Sequence, residues 1–217
     1  AQASALLHRN SISVSNYTLR PAQRGNTKPL IGLYSESGRG KTWSALLLAR
    51  GFVGPNGKIG MIETESGRGE VYVGVSPVGD YMVCPMREPF SPKEYGEAIS
   101  VCERAGLDAL IIDSASHEWE AVGGVLDMAA ENEAKGWKGQ IVWTKPKLEH
   151  SRFFVLRLAQ SPIPLIIVCL RAKFPLVEFI DEKGKKNMRR ADEPSPKQSE
   201  DFIYEMLIHG WLDKSHS

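Results

Sequence analysis

Leu30-Ile31-Gly32-Leu33-Tyr34-Ser35-Glu36-Ser37-Gly38-Arg39-Gly40-Lys41-Thr42 is the stretch on which the reading of this chain turns. Leu30 to Tyr34 form a short apolar run that reads as a buried strand. A Ser/Gly loop follows, and Lys41 to Arg50 (KTWSALLLAR), ending at Gly51, has the composition of a helix. A strand, a glycine loop and a helix in that order build an anion cradle. The glycines let successive backbone N–H groups turn inward on phosphate oxygens, and the positive end of the helix faces the charge. Lys41 is placed to reach the outer phosphates, and the Thr42 hydroxyl to ligate Mg²⁺. The expectation is a site for ATP, or another nucleoside triphosphate, with Mg²⁺, formed by Ser37, Gly38, Arg39, Gly40, Lys41, Thr42 and Trp43. One position departs from the motif: Ser35 stands where its first glycine would be, and a left-handed backbone there would be costly for serine.

Outward from this stretch the composition is that of an ordinary globular domain. The 217 residues are 42% hydrophobic and 24% charged, enough for one α/β domain with a small appendage. The net charge of +1 advertises neither nucleic acid nor membrane, so any basic site must be local. Cys84, Cys102 and Cys169 are far apart in sequence and form no CxxC pair, which argues against a zinc site or a disulfide framework. Thiols at this density suit a reducing cytoplasm. The longest apolar run, Ile163 to Leu170, is far shorter than the roughly 20 residues of a membrane helix. Ser, Asn, Gln and Arg interrupt the first residues before any signal-peptide core develops. The expected location is the cytoplasm, with no membrane partner.

Residues 1–28 are polar and aperiodic, an arm or linker; residues 29–217 read as one domain. Further strands are expected at Ile59 to Ile62, Tyr81 to Cys84, Leu107 to Asp113 and Leu165 to Leu170. A helix should open after the cap Ser91 with Pro92 at its first position and stop at Gly106. Two more should span His117 to Ala134 and Lys147 to Ala159, separated by a loop from Lys135 to Pro146. From Leu176 the period changes to two, which predicts a β-hairpin over residues 176–191. Phe202 to Leu212 reads as a final strand. Strands alternating with helices predict an α/β fold: a mainly parallel sheet with helices on both faces, its ligand at the carboxyl ends of the strands.

Hydrolysis needs two kinds of acid at that edge. Asp113, ending the run ALIID, fits the carboxylate that holds the magnesium's water shell. Glu65, just past the second strand, is the first choice for the group that activates water, with Glu63, Glu118 and Glu120 as competitors. Glu63 and Glu65 should point the same way if the segment is extended. Arg171 and Lys173, near the end of a later strand, put cations at the same edge, where one can stabilise charge developing on a transferred phosphate.

The stretches GLYSESGRGKT, MIETE, LDALIIDSAS, IIVCLRAK and RADEPSPKQSEDFIYEM together resemble the RecA-like P-loop ATPases, in particular small phage-encoded ATP-binding proteins related to single-strand-annealing recombinases. The resemblance covers residues 28–205, and only the last stretch and the overall size point to the phage subgroup. It implies a RecA-like P-loop core with a C-terminal β-hairpin, assembled as a homo-oligomeric ring or filament with ATP at subunit interfaces. It implies Glu65 as catalytic glutamate, Asp113 followed by Ser114 as the magnesium-linked pair, and Arg171 in the place of a polar sensor where glutamine is more familiar. The implied function is ATP hydrolysis coupled to single-stranded DNA in phage recombination, within the host cytoplasm.

Single-strand binding combines cations for phosphates with aromatic faces for bases. Lys135, Trp137 and Lys138, then Trp143, Lys145 and Lys147, interleave both. A second basic cluster comprises Lys183, Lys185, Lys186, Arg189 and Arg190. His117, His150 and His209 lack metal-ligand spacing. Two alternatives stand beside the recombination reading. One is a nucleotide switch that regulates a replication or packaging partner; the other is a small-molecule kinase, for which no arginine-rich lid is visible.

Overall fold

The computed structural model describes residues 12–14, 17–19, 21, 28–182 and 184–213. Most of the expected arm lies outside them; Ile12–Val14 (β1) and Tyr17–Leu19 (β2) pair antiparallel as a separate small ribbon. The domain is built on Leu30–Ser35 (β3), Ile59–Glu63 (β4), Met82–Pro85 (β5), Ala109–Asp113 (β6), Leu165–Lys173 (β7) and Ile208–Trp211 (β11). Their spatial order is β11-β3-β7-β6-β4-β5, and every neighbouring pair is parallel. A seventh strand, Ser195–Pro196 (β10), adds antiparallel to the end of β7. Between them in sequence, Leu176–Ile180 (β8) and Lys186–Arg190 (β9) form the expected antiparallel hairpin.

Sheet residues alternate between two buried faces. Leu33, Met61, Ile111 and Ile167 pack against Ala45, Leu46 and Ala49 of the helix Lys41–Val53 (α1). Ile62, Leu110, Ile112 and Val168 pack against Tyr95 and Ile99 of Pro92–Arg104 (α2) and against Phe154 and Phe202. These near-continuous apolar strands are what a sheet covered on both sides requires. Strand β7 inserts between β3 and β6, so the loop after β3 and the acid ending β6 lie two strands apart at one edge.

Several expected boundaries move, each for a local reason. Helix α1 runs through Gly51 and stops at Gly54, whose φ of 75° with ψ of −178° is an extended positive-φ conformation that glycine adopts readily. Ser91 does cap α2, its hydroxyl accepting the Glu94 N–H at 3.2 Å. The helix expected from His117 to Ala134 is two helices, Ser116–Glu120 (α3) and Val125–Ala134 (α4). Gly123 (φ 78°) and Gly124 separate them, and a Cβ on Gly123 would meet Pro89 at 2.5 Å. The loop expected from Lys135 to Pro146 is shorter, because Ile141–Glu149 (α5) is helical with Pro146 inside it. A π-helical turn over His150–Val155 then leads into Leu156–Gln160 (α6). Glu200–Glu205 is a 3₁₀ turn, so the last expected strand begins only at Ile208.

Arg50, near the end of α1, ties down the long connection to β5. Its guanidinium donates to the carbonyls of Val78 (2.6 Å), Asp80 (2.7 Å), Gly57 (2.9 Å), Gly54 (3.0 Å) and Pro55 (3.3 Å). Nε and Nη2 each serve one carbonyl, and the two Nη1 hydrogens are shared among Gly54, Pro55 and Gly57; an ammonium, with three hydrogens on one atom, cannot span these positions. Arg50→Leu is expected to lower unfolding stability by about 2–4 kcal/mol, and Arg50→Lys to recover less than half of it; urea denaturation of the three chains measures both.

Candidate functional site

The site begins where β3 ends. Ser35 is fully buried and keeps an extended backbone: Ser66, not Ser35, is the non-glycine residue with positive φ among the described residues. The strain expected at Ser35 therefore does not arise. Instead its hydroxyl donates to Glu36 O (2.8 Å) and accepts from Lys41 Nζ (3.2 Å). The left-handed turns fall on Gly38 (φ 76°) and Gly40 (φ 80°), where glycine carries no steric cost. Gly40 is the N-cap of α1, so Lys41 and Thr42 open the helix with its unpaired N–H groups facing the loop. Lys41 Nζ also donates to the carbonyls of Ser35 (3.2 Å) and Glu36 (3.0 Å), which folds its chain back over the loop. Ser37 is exposed, Arg39 pairs with Glu36 at 3.2 Å, and Trp43 packs against Tyr72 at a tilt of 45° with ring centres 5.2 Å apart.

Thr42 and Asp113 meet as a magnesium site requires. Thr42 Oγ1 donates to Asp113 Oδ2 at 2.5 Å, across the strand that separates β3 from β6. This hard, all-oxygen pair fits Mg²⁺, which takes few protein ligands and completes its shell with phosphates and water. Among the described residues no cluster of three or more His, Cys, Asp or Glu side chains forms a dedicated metal cage. Burial lifts the Asp113 carboxyl from the usual 3.8 to about 6; the Thr42 hydrogen bond pulls it down and the Glu65 charge pushes it up.

Glu65 and Arg171 are brought together. Arg171 lies on β7 beside Ser35, and its Nη2 and Nε donate to Glu65 Oε1 at 2.9 and 3.3 Å. Arg171 Nη1 also approaches Glu120 Oε1 (3.8 Å), and Lys197 Nζ pairs with Glu120 Oε2 (3.1 Å). Arg68 adds a second cation 3.7 Å from Glu65. These groups line an open cleft of about 860 Å³.

The competing acids separate by environment. Glu63 does not point with Glu65: it is buried, accepting the N–H groups of Glu65 (2.7 Å) and Gly67 (2.9 Å), so it shapes the turn that presents Glu65. Glu118 faces away from this cleft and is bound by His150 and Gln198. Glu120 stays in the cleft as the partner of Arg171 and Lys197. Thr64 and His117 complete the edge: Thr64 Oγ1 lies 2.7 Å from His117 Nδ1 and accepts the Ser114 N–H at 2.8 Å. Burial and the nearby Arg171 charge hold the His117 imidazole below its usual pKa. Glu120 was among the acids read from the sequence, but the roles of Thr64, His117 and Lys197 had no sequence signal, since each depends on a partner far away in the chain.

None of Lys135, Trp137, Lys138, Lys145 and Lys147 lines the Glu65 cleft. They lie at the end of α4, in the loop after it and on α5, with all four lysines and Trp137 exposed; Lys135 pairs with Glu131 at 3.5 Å and Lys145 approaches Glu149 at 3.9 Å. In the second basic cluster Lys183 lies outside the described residues; Lys186 pairs with Glu178 and Arg189 with Asp192. No described helix is long and apolar enough to cross a membrane.

Asp113 carries a pH signature. The folded chain takes up its proton at about pH 6 and the unfolded chain near pH 4, so its ionisation penalises the fold above that window and the penalty fades as pH falls through it. Asp113→Asn keeps an acceptor for Thr42 without the charge. It is expected to stabilise the chain by about 1–3 kcal/mol near pH 8 and to lose that advantage towards pH 4. Thermal unfolding of both chains across pH measures both effects.

No protein-family model matches the chain, and no curated protein matches it significantly. Among solved structures the chain is similar to a prototypical ATPase from the type III secretion system of pathogenic bacteria, at 16% identity and a TM-score of 0.41. The match covers 66% of this chain and 45% of that ATPase, so the chain spans less than half of its length.

Proposed function

We propose that the chain binds ATP with Mg²⁺ in the loop Ser35 to Thr42 and hydrolyses it to ADP and phosphate, as an assembly acting on single-stranded DNA in phage recombination, by annealing or strand exchange. The observation that carries the nucleotide reading is the Thr42–Asp113 contact at the mouth of a glycine loop covered by Lys41. Mg²⁺ there would supply charge neutralisation on the outer phosphates. Lys41 exchanges its three contacts within the loop for phosphate oxygens, and the amides of Gly38 to Thr42 hold the remaining anionic charge. Asp113 and Thr42 orient the ion's shell. Glu65 takes the proton of the attacking water, and Arg171 steadies the charge that develops on the departing phosphate.

The ion pair of Arg171 and Glu65 favours a second reading as well. While the guanidinium occupies Glu65 Oε1, that oxygen is not free to accept a hydrogen bond from water, which suits a nucleotide switch that binds ATP and turns it over slowly. The pair is part-exposed, at 38% and 21% of the two side chains, and such pairs contribute at most about 1 kcal/mol. A multiply charged phosphate arriving beside Arg171 would outcompete it. The support for DNA is the exposed interleaving of Lys135, Trp137, Lys138, Lys145 and Lys147, and a ring or filament is the assembly that this reading proposes.

ATP turnover with Mg²⁺, measured with and without single-stranded DNA, tests these readings together. Lys41→Ala is expected to abolish ATP binding. Glu65→Gln should retain binding and lose turnover by about 10²-fold or more, and Arg171→Ala should lower turnover without restoring it through a freed Glu65. DNA-stimulated turnover supports the recombination reading, whereas tight ATP binding with negligible turnover whatever DNA is added supports the switch. Unchanged ATP binding in Lys41→Ala overturns both.

A further inference from the structure

A second set of reactive groups lies on the other side of α3, at a cavity of about 560 Å³ separate from the nucleotide cleft. Ser199 Oγ is 3.1 Å from His150 Nε2. On the far side of the ring, His150 Nδ1 is 3.0 and 3.1 Å from the two carboxylate oxygens of Glu118. Glu118 is fully buried, and Gln198 Nε2 fixes it with a further donor at 3.1 Å, itself anchored to Ala115 O at 3.1 Å. A carboxylate offers acceptors only, so Nδ1 carries the hydrogen and Nε2 presents its lone pair to the serine hydroxyl. Hydroxyl, imidazole and carboxylate thus stand in the order, and at the separations, of a nucleophilic relay.

We propose that Ser199, His150 and Glu118 form a serine-nucleophile site that hydrolyses small carboxylic esters bound in this cavity. Trp119 and Trp143 line it together with Phe202, which suits a flat apolar acyl or alcohol group. Trp119 also stands edge-on to His150 with ring centres 5.3 Å apart, which fixes the imidazole plane. Lys147 and Lys173 line the same cavity together with Glu200, Asp201 and Glu205, so its wall carries charges of both signs. The hydroxyl oxygen of Ser199 bonds to the ester carbon as its proton passes to His150 Nε2, and the carbonyl π pair moves onto oxygen. Collapse of that intermediate breaks the ester C–O bond, and the leaving alkoxide takes the proton from His150. Water then repeats the sequence on the acyl-serine, releasing the carboxylic acid and restoring the hydroxyl. Glu118 is a positioning residue: it holds the tautomer and balances the imidazolium.

The test needs no nucleotide and no DNA, so its outcome is independent of the ATPase reading. The full chain is treated with a fluorophosphonate, which phosphonylates activated serines, beside a known serine hydrolase as positive control. Labelled peptides are mapped by mass spectrometry, and p-nitrophenyl acetate and butyrate hydrolysis is followed in parallel. Label is expected on Ser199, absent in Ser199→Ala and slowed about 10²-fold or more in His150→Gln. In Glu118→Gln the rate should fall with its pH profile displaced, a shift that loss of packing alone does not produce. Because His150 and Glu118 are buried, Ser199→Ala, which removes one hydroxyl from a part-exposed position, decides the matter if the other variants fold poorly. No label on Ser199 while the control is labelled, or ester hydrolysis unchanged in Ser199→Ala, overturns the proposal.

Discussion

The contact on which the rest depends is a hydroxyl from one strand's loop meeting a carboxylate from a strand two places away. Thr42 opens α1, just after the loop that leaves β3, and Asp113 ends β6, with β7 between the two strands. Adjacent strands lie about 4.8 Å apart, so the start of α1 must lean across a full strand for the two oxygens to touch. That holds only if β3, β7 and β6 keep register, since a slip of one residue would turn Asp113 to the opposite face. The register is enforced from both sides: Ile111 and Ile167 are buried against α1, while Ile112 and Val168 are buried against the other layer. The hydrophobic pattern of the sheet is therefore also the alignment device of the site.

The carboxyl edge gathers polar groups that the core would not tolerate singly. A buried polar atom without a partner costs about 1–3 kcal/mol, and here nearly all are paired with one another. Thr64 serves Ser114 and His117, Tyr95 gives its hydroxyl hydrogen to Ser114 O at 2.7 Å, and Ser116 accepts the Arg171 N–H at 2.9 Å. The single buried side-chain atom without a partner among the described residues is Glu103 Oε1, on α2 away from both clefts. Such mutual satisfaction ties Glu65, Arg171 and Asp113 to one hydrogen-bonded rim, so that a change at one is felt at the others.

What was legible in the sequence follows from the range of the interactions. The parallel strands through β7, the cap at Ser91, the glycine loop between β3 and α1 and the hairpin are written in contiguous or periodic residues, and they stand close to where expected, whereas the last strand begins only at Ile208. The helix interruption at Gly123 was missed because its cause, the close approach of Pro89, lies far away in sequence. Pro146 looked like a loop residue, yet it sits inside α5. At Ser35 the motif suggested strain, whereas the backbone stays extended and places the left-handed residues at Gly38 and Gly40. The grouping of Glu118 with His150 and Ser199 spans sequence separations of 32 and 49, and no spacing rule reaches so far.

Where β7 ends and β10 begins, the chain leaves and re-enters the sheet at one point: Ser195 stands opposite Lys173, and Pro196 opposite Ala172. The excursion between them carries the hairpin and closes on itself a second time, with Ala191 N–H donating to Pro175 O at 2.7 Å. Closing a longer or shorter loop between two such fixed posts changes the chain entropy only logarithmically. The excursion is thus a replaceable cassette. Evolution, or an engineer, can exchange its tip for another length or charge and leave the seven-stranded frame beneath it untouched.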